Sequence, residues 1–282
     1  MWVRFLHAGP SINTNMILIE EAKKLSFDPN DPFDLGYFIM DNAKSYIPNE
    51  AYPDFVKECY YSLFESILMG EVNAGIQYKF LAENTNEELI KNYFLKMAEE
   101  ERIHGEILGI IVDSMFDAGT AEKINLKYVD TYEYSVLPTH KNLLTTILLF
   151  FIVETKLISG FATSYSDCKN ISKKNFIANF LAEESQHISA ILEIIKYLSL
   201  KYSSRELALI YKFYIDQVKI RKFYLFSHLT DRFDNSEELK NIYQSEWHVR
   251  SIDKVNNRLY KAAEIINPSE TFENFVKITN PI

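Results

Sequence analysis

The chain is short of the residues that build sheet-rich, disulfide-bonded or nucleic-acid-binding proteins. Glycine and proline number only 8 each among 282 residues. Tight turns are therefore few, and long helices are favoured over a many-stranded sheet. Cysteine occurs twice, at Cys59 and Cys168, far apart and without a C-x-x-C pair. That argues against a disulfide framework and a cysteine zinc site, and it fits a reducing cytoplasm. Positive charge is in deficit: 30 Lys+Arg against 39 Asp+Glu give a formal net charge of -9. A general nucleic-acid binder needs the opposite balance. The start, "MWVRFLHAGPS", lacks the apolar run of a signal peptide. The longest apolar run, "LLTTILLFFIV" (143–153), is about half a membrane span and ends at Glu154. The expectation is a helix buried on all sides and no membrane contact.

Apolar residues are plentiful, at 47%, so a chain of this length can bury a large core. Their spacing is helical from residue 53 onward. It predicts helices over about 53–83, 88–116, 141–166, 173–200, 203–230 and 236–265, then a short amphipathic tail. Thr85-x-x-Glu88 and Ser203-x-x-Glu206 read as capping boxes at two helix starts. Residues 117–140 read as a long connection. Pro10, Pro29, Pro32 and Pro48 punctuate an irregular start. No segment alternates convincingly with period two. One all-α domain over 1–282 is the economical reading, with a bundle core over about 53–200 and accessory helices over 201–282.

Within this pattern one string occurs twice. "EERIHGEIL" (100–108) aligns with "EESQHISAI" (183–191), so Glu101 and His104 are repeated as Glu184 and His187. An E-x-x-H string alone is ordinary helix surface. Upstream, however, Glu71 stands 30 residues before Glu101, and Glu154 stands 30 residues before Glu184. Both upstream acids lie in apolar helix. From Glu71 to the end of its helix is about 12 residues, roughly 18 Å, and from the next helix start to Glu101 is about 13, roughly 20 Å. A helical hairpin therefore brings Glu71 level with Glu101, and the same holds for Glu154 and Glu184. Each hairpin presents one Glu from its first helix and an i, i+3 Glu–His pair from its second. Two packed hairpins collect four carboxylates and two imidazoles, the ligand set of a carboxylate-bridged di-iron site. Four unpaired buried Glu would be very costly, whereas two metal ions offset their charge. The imidazoles complete the shell and leave positions open for dioxygen.

On this double motif, residues 53–200 resemble the ferritin-like superfamily, in its di-iron oxygenase and oxidase branch. The resemblance implies a ferritin-like four-helix bundle with extra N- and C-terminal helices. It implies that Glu71, Glu101, His104, Glu154, Glu184 and His187 are catalytic metal ligands for two Fe ions, or a Mn/Fe pair, with dioxygen as co-substrate. The family often sets an acid before each E-x-x-H glutamate, bonded to the histidine of the opposite hairpin. Glu100 and Glu183 occupy those positions, with exposed helix charge as the alternative. Small residues near Glu71, namely Gly70, Ala74 and Gly75, together with Ile158, are expected to border a substrate pocket; close helix packing explains the small residues equally well.

The branches differ at single positions. Ribonucleotide reductase small subunits carry a radical tyrosine four residues after the first ligand histidine; here it is Leu108. Rubrerythrins add a cysteine-ligated iron, which two isolated cysteines do not supply. The p-aminobenzoate N-oxygenase branch adds a histidine one turn before the last E-x-x-H glutamate; here it is Phe180. "EEERIHGEIL" and "PNEAYPDF" (48–55) resemble acyl-carrier-protein desaturases. Lys212, Lys219, Arg221 and Lys222 would dock an acidic carrier protein or form a solvated helix face. The expectation is an oxygen-activating di-iron oxidoreductase of monooxygenase, N-oxygenase or desaturase type. Its substrate is a small organic molecule, free or carrier-bound. Its electrons come from an external donor, because no flavin or nicotinamide fingerprint occurs. Metal binding without turnover and a metal-free scaffold are the alternatives, and a homodimer is left open. His7, His140, His228 and His248 have no ligand spacing.

Overall fold

Most helix boundaries follow their local signals. Asn170 caps a helix: its side-chain oxygen accepts from the backbone N–H groups of Ser172 and Lys173, which have no partner in the first turn. Ser203 and Glu206 form the expected reciprocal box. Ser203 N donates to Glu206 Oε2 at 2.8 Å, and Glu206 N donates to Ser203 Oγ at 3.4 Å. The expected Thr85–Glu88 box does not form. The helix begins later, with Glu87 at the N-cap and Glu88 in the first turn, which breaks the spacing the box needs. Thr85 Oγ1 instead accepts from Glu87 N at 3.3 Å.

The computed structural model describes residues 12–25, 50, 52–134, 142–168, 170–221 and 246–280. Among these residues there are nine helices and no strand, as an all-α fold requires. In chain order they are α1 (Ile12–Ala22), α2 (Tyr52–Glu83), α3 (Glu88–Met115), α4 (Thr120–Tyr134), α5 (Leu143–Asp167), α6 (Ile171–Ser199), α7 (Ser204–Arg221), α8 (Glu246–Ile266) and α9 (Phe272–Thr279). Helix α4 falls where a connection was expected. Ala121 and Ile124 are buried at helical spacing within it, a period too short to stand out beside Gly119. Gly119, at φ 84°, makes the turn that starts it, a conformation glycine adopts without strain.

Two hairpins carry the architecture: α2 with α3, and α5 with α6. Within the first, glycine sets the spacing. A Cβ on Gly75 would lie 3.3 Å from the Ala98 carbonyl oxygen, and one on Gly105 would lie 3.3 Å from Val72 Cγ2. Between hairpins, apolar side chains such as Tyr78 and Phe150 meet, and so do the charged residues described below. Helix α1 packs on α3 and α6, while α8 packs on α5, α6 and α7. Buried apolar residues form two clusters. One holds Phe64, Leu68, Ile107, Ile111, Phe161, Phe176 and Phe180. The other holds Tyr78, Phe94, Met97, Leu148, Phe151, Ile191 and Ile194. Along α2, α3 and α6 the motif residues fall where one cluster gives way to the other, while on α5 Glu154 lies within the second cluster, between Ile152 and Ile158.

Helix α5 is more apolar than the run ending at Glu154 suggests. Leu143–Thr163 is long and apolar enough to cross a membrane by length and composition. In this fold 78% of its apolar window is buried inside the protein, the placement of a core helix. Glu154 lies in the middle of that stretch.

Candidate metal centre

The six motif residues meet at one level of the bundle, and each is at most 5% exposed. Helix α2 supplies Glu71, α3 supplies Glu101 and His104, α5 supplies Glu154, and α6 supplies Glu184 and His187. The i, i+3 spacing puts each Glu–His pair on one inward face. Glu101 lies between the two imidazoles. Its Oε2 is 3.5 Å from His104 Nδ1, and its Oε1 is 3.1 Å from His187 Nδ1. Glu184 does the same from the opposite hairpin, with Oε1 3.0 Å from His104 Nδ1 and Oε2 3.5 Å from His187 Nδ1. Glu71 Oε2 is 3.6 Å from His104 Nδ1. Glu71, Glu101, His104 and Glu184 offer ligand atoms that all lie within 4.8 Å of one another.

The outer nitrogens are fixed by the acids expected to hold them. His104 Nε2 lies 2.8 Å from Glu183 Oε2, and His187 Nε2 lies 3.0 Å from Glu100 Oε2. A carboxylate only accepts, so Nε2 carries the proton in both rings. Each acid comes from the hairpin opposite its histidine, so the two bonds also staple the hairpins together. Both are buried, which excludes the reading as exposed helix charge. With Nε2–H committed, Nδ1 is the nitrogen of each ring left to bind a metal, and it faces inward.

The inward atoms lack partners. Both oxygens of Glu71, Oε1 of Glu101, Oε1 of Glu184 and Nδ1 of each histidine are buried without a hydrogen bond. Orphans of this number in one place would be costly in a finished core. They share two properties: every one is a donor atom suited to iron or manganese, and they point at common space. The residues therefore fit iron or manganese, with Glu71, Glu101, His104 and Glu184 close enough to share one ion. Without metal, burial pushes the Glu71 carboxyl well up, aided by the neighbouring Glu101 charge. Burial, with Glu101 and Glu184, pushes Glu154 up to about 8. Burial works against charge on His104 and His187, but the surrounding carboxylates override it and hold both imidazoles well above their usual range. Metal uptake must then displace protons.

Exchanging Glu183 for Gln keeps shape and removes the charge that polarises His104. Metal affinity is expected to fall about 10- to 100-fold, and calorimetric titration checks it. Unchanged affinity would mean that the pair only staples helices.

One participant is not visible in the motif. Tyr78 is fully buried on α2, and its hydroxyl donates to Glu154 Oε1 at 2.8 Å. It stands seven residues after Glu71, two turns along the same face. That register is the one signal that could have found it, and 18 tyrosines dilute it. Phe180 packs its ring 4.8 Å from that of His104, so it caps this side with carbon where a further histidine was the alternative. Leu108 is buried in the first apolar cluster. Ala74 and Ile158 pack with the second cluster, while Gly70 is exposed, with open space where a Cβ would stand. A groove of about 600 Å³ runs along the outer α2–α3 seam. Gly75 lines it with Val72, Ile76, Ala98, Arg102 and Gly105; Gly70, Ala74 and Ile158 do not. Gly75 also meets Glu101 Cβ, at 3.5 Å from the position of an added Cβ, so the groove backs onto the site across a tight helix contact. Lys212 and Lys219 are exposed on α7. The Arg221 side chain and Lys222, and His7, His140, His228 and the His248 side chain, lie outside the described residues.

A model of the rubrerythrin family matches residues 63–195, which contain both hairpins at the level of the site and all eight charged residues. No curated protein and no solved structure matches the chain. The likeness spans a little less than half of the chain and takes in both copies of the repeat. The match is to a family that the sequence weighed against, for want of cysteines to ligate a further iron.

Proposed function

We propose that this rubrerythrin-like bundle holds two iron ions and works as a dioxygen-activating oxidoreductase on a C–H or N–H bond of a small organic substrate. The observation that carries the reading is the convergence of orphaned carboxylate and imidazole atoms on shared space. Glu71 and His104 would hold one ion, Glu154 and His187 the other, and Glu101 and Glu184 both. Bound iron supplies the redox electrons and the Lewis acidity for reaction with dioxygen. The chain's own residues do the rest. Glu183 and Glu100 keep the two imidazoles in one tautomer and orientation. Phe180, Phe94 and Phe151, with the two apolar clusters, exclude water from the site. That exclusion strengthens every charge interaction in it. Electrons come from a separate donor protein in the cytoplasm.

The test is oxygen uptake. Protein loaded anaerobically with Fe(II) is expected to consume dioxygen faster than the same Fe(II) free in buffer, and Glu184→Ala is expected to abolish the excess. Uptake no faster than free iron would overturn the reading. A second reading, metal binding without an organic substrate, is favoured by the groove at Gly75, which is separated from Glu101 by a helix contact. Oxygen uptake that no added donor or substrate sustains beyond one round supports it.

A further inference from the structure

The groove on the outer α2–α3 seam faces away from the metal centre. From Leu95 to Gly109 it follows about 14 residues of α3, roughly 21 Å. Glycine makes it deep: Gly75, Gly105 and Gly109 line it and fill nothing. Ile76 and Leu95 stand on its walls, 37% and 42% exposed, where an apolar chain would cover them. Its volume of about 600 Å³ is that of a small-molecule site. A docked helix, about 10 Å across, would fill more than twice that over the same length.

The polar groups are unevenly satisfied. Arg102, on the rim, donates to both Glu99 and Glu106, so its charge is balanced. Lys79 is exposed at the Leu95 end and makes no ion pair among the described residues. At the Gly109 end the wall is Asn125 of α4, whose Oδ1 is buried without a hydrogen bond. A buried acceptor in that state calls for a donor. The groove thus offers a cation at one end, an unused acceptor at the other, and carbon between.

We propose that this groove is a second ligand site, for an amphipathic carboxylate with a hydroxyl at its far end. The carboxylate pairs with Lys79, the chain lies over Ile76, Leu95 and the glycine floor, and the hydroxyl donates to Asn125 Oδ1. The α2–α3 contact at Gly75 stands between the groove and Glu101, so the ligand is held there and not presented to the inward atoms. The site does not depend on metal.

The probes are ω-hydroxydodecanoate and dodecanoate, titrated by calorimetry into the full chain without added metal. One molecule per chain is expected, with the hydroxy acid about 3- to 10-fold the tighter, as one hydrogen bond to a buried acceptor gives. Asn125→Leu keeps the size and removes the acceptor, and is expected to erase that preference. Lys79→Glu is expected to weaken both acids about 5- to 10-fold, and Leu95→Glu about 10-fold. Lys79 and Leu95 are exposed, so these two variants test the site without disturbing the core. Equal affinity for the two acids, binding of neither, or binding that the variants leave unchanged would overturn the proposal. A dimer that Leu95→Glu dissociates, in a chain that takes up neither acid, would give the groove to a second copy and overturn it too.

Discussion

Glu101→Ala is expected to lose both metals, not one. The reason is position. Glu101 is the carboxylate whose Oε2 is 3.5 Å from His104 Nδ1 and whose Oε1 is 3.1 Å from His187 Nδ1. Removing it takes a donor from each ion and the shared charge that offsets their repulsion. Glu184→Ala is expected to behave the same way for the same reason. Glu71→Ala and Glu154→Ala differ, because each stands on one side only, and each is expected to retain one metal. Metal content after gel filtration reads the result. Removing Glu71 or Glu154 relieves crowding of acids whose carboxyls are pushed up in the metal-free chain, whereas removing Glu101 or Glu184 takes a partner from the imidazoles, so circular dichroism must accompany the metal count. Glu101 and Glu184 variants that kept one tight metal would show that these residues do not bridge.

Chelation is expected to lower the melting temperature of the wild type by about 5 to 10 °C. Metal at 100 times its dissociation constant contributes about 2.7 kcal/mol to folding. A domain of this size shifts by about 2–4 °C for each kcal/mol. The sign follows from the core. Glu71, Glu101, Glu154 and Glu184 are all buried, and the metal-free chain tolerates them only with protons retained on Glu71 and Glu154. Glu101→Ala serves as the control, because its melting temperature should not respond to chelator. Equal melting curves for the wild type with and without chelator would indicate a bundle whose site holds no metal.

Much of the centre was legible because it is written twice. Neither E-x-x-H string carries weight alone, but two strings with a glutamate 30 residues before each are hard to place except as two hairpins. The acids before each string, Glu100 and Glu183, were likewise readable by position, and their bonds to His187 and His104 cross between hairpins as expected. What escaped has no repeat and no period. Tyr78 is one tyrosine among many, and its role depends on which acid lies across the bundle from it. Helix α4 follows Gly119 without an S/T-x-x-E box at its start, so it reads as part of a connection. The Thr85 box failed because capping depends on which residue starts the helix, and sequence spacing leaves that uncertain by a residue or two. Gly75 reads from sequence as either pocket or packing. The structure shows both, a groove on one side and a tight helix contact on the other.

Length of apolar run misled in one place. Glu154 ended the run in "LLTTILLFFIV", yet the helix stays apolar to Thr163. A single buried acid does not end a core helix when a tyrosine hydroxyl and two further carboxylates share its surroundings.

The central claim is that two metal ions lie between the hairpins. Anomalous diffraction from iron-loaded crystals, collected at the iron absorption edge, tests it most directly. The account predicts two peaks per chain, one beside Nδ1 of His104 and one beside Nδ1 of His187. No peak between the imidazoles, with both Nδ1 atoms facing only carboxylates, would contradict it.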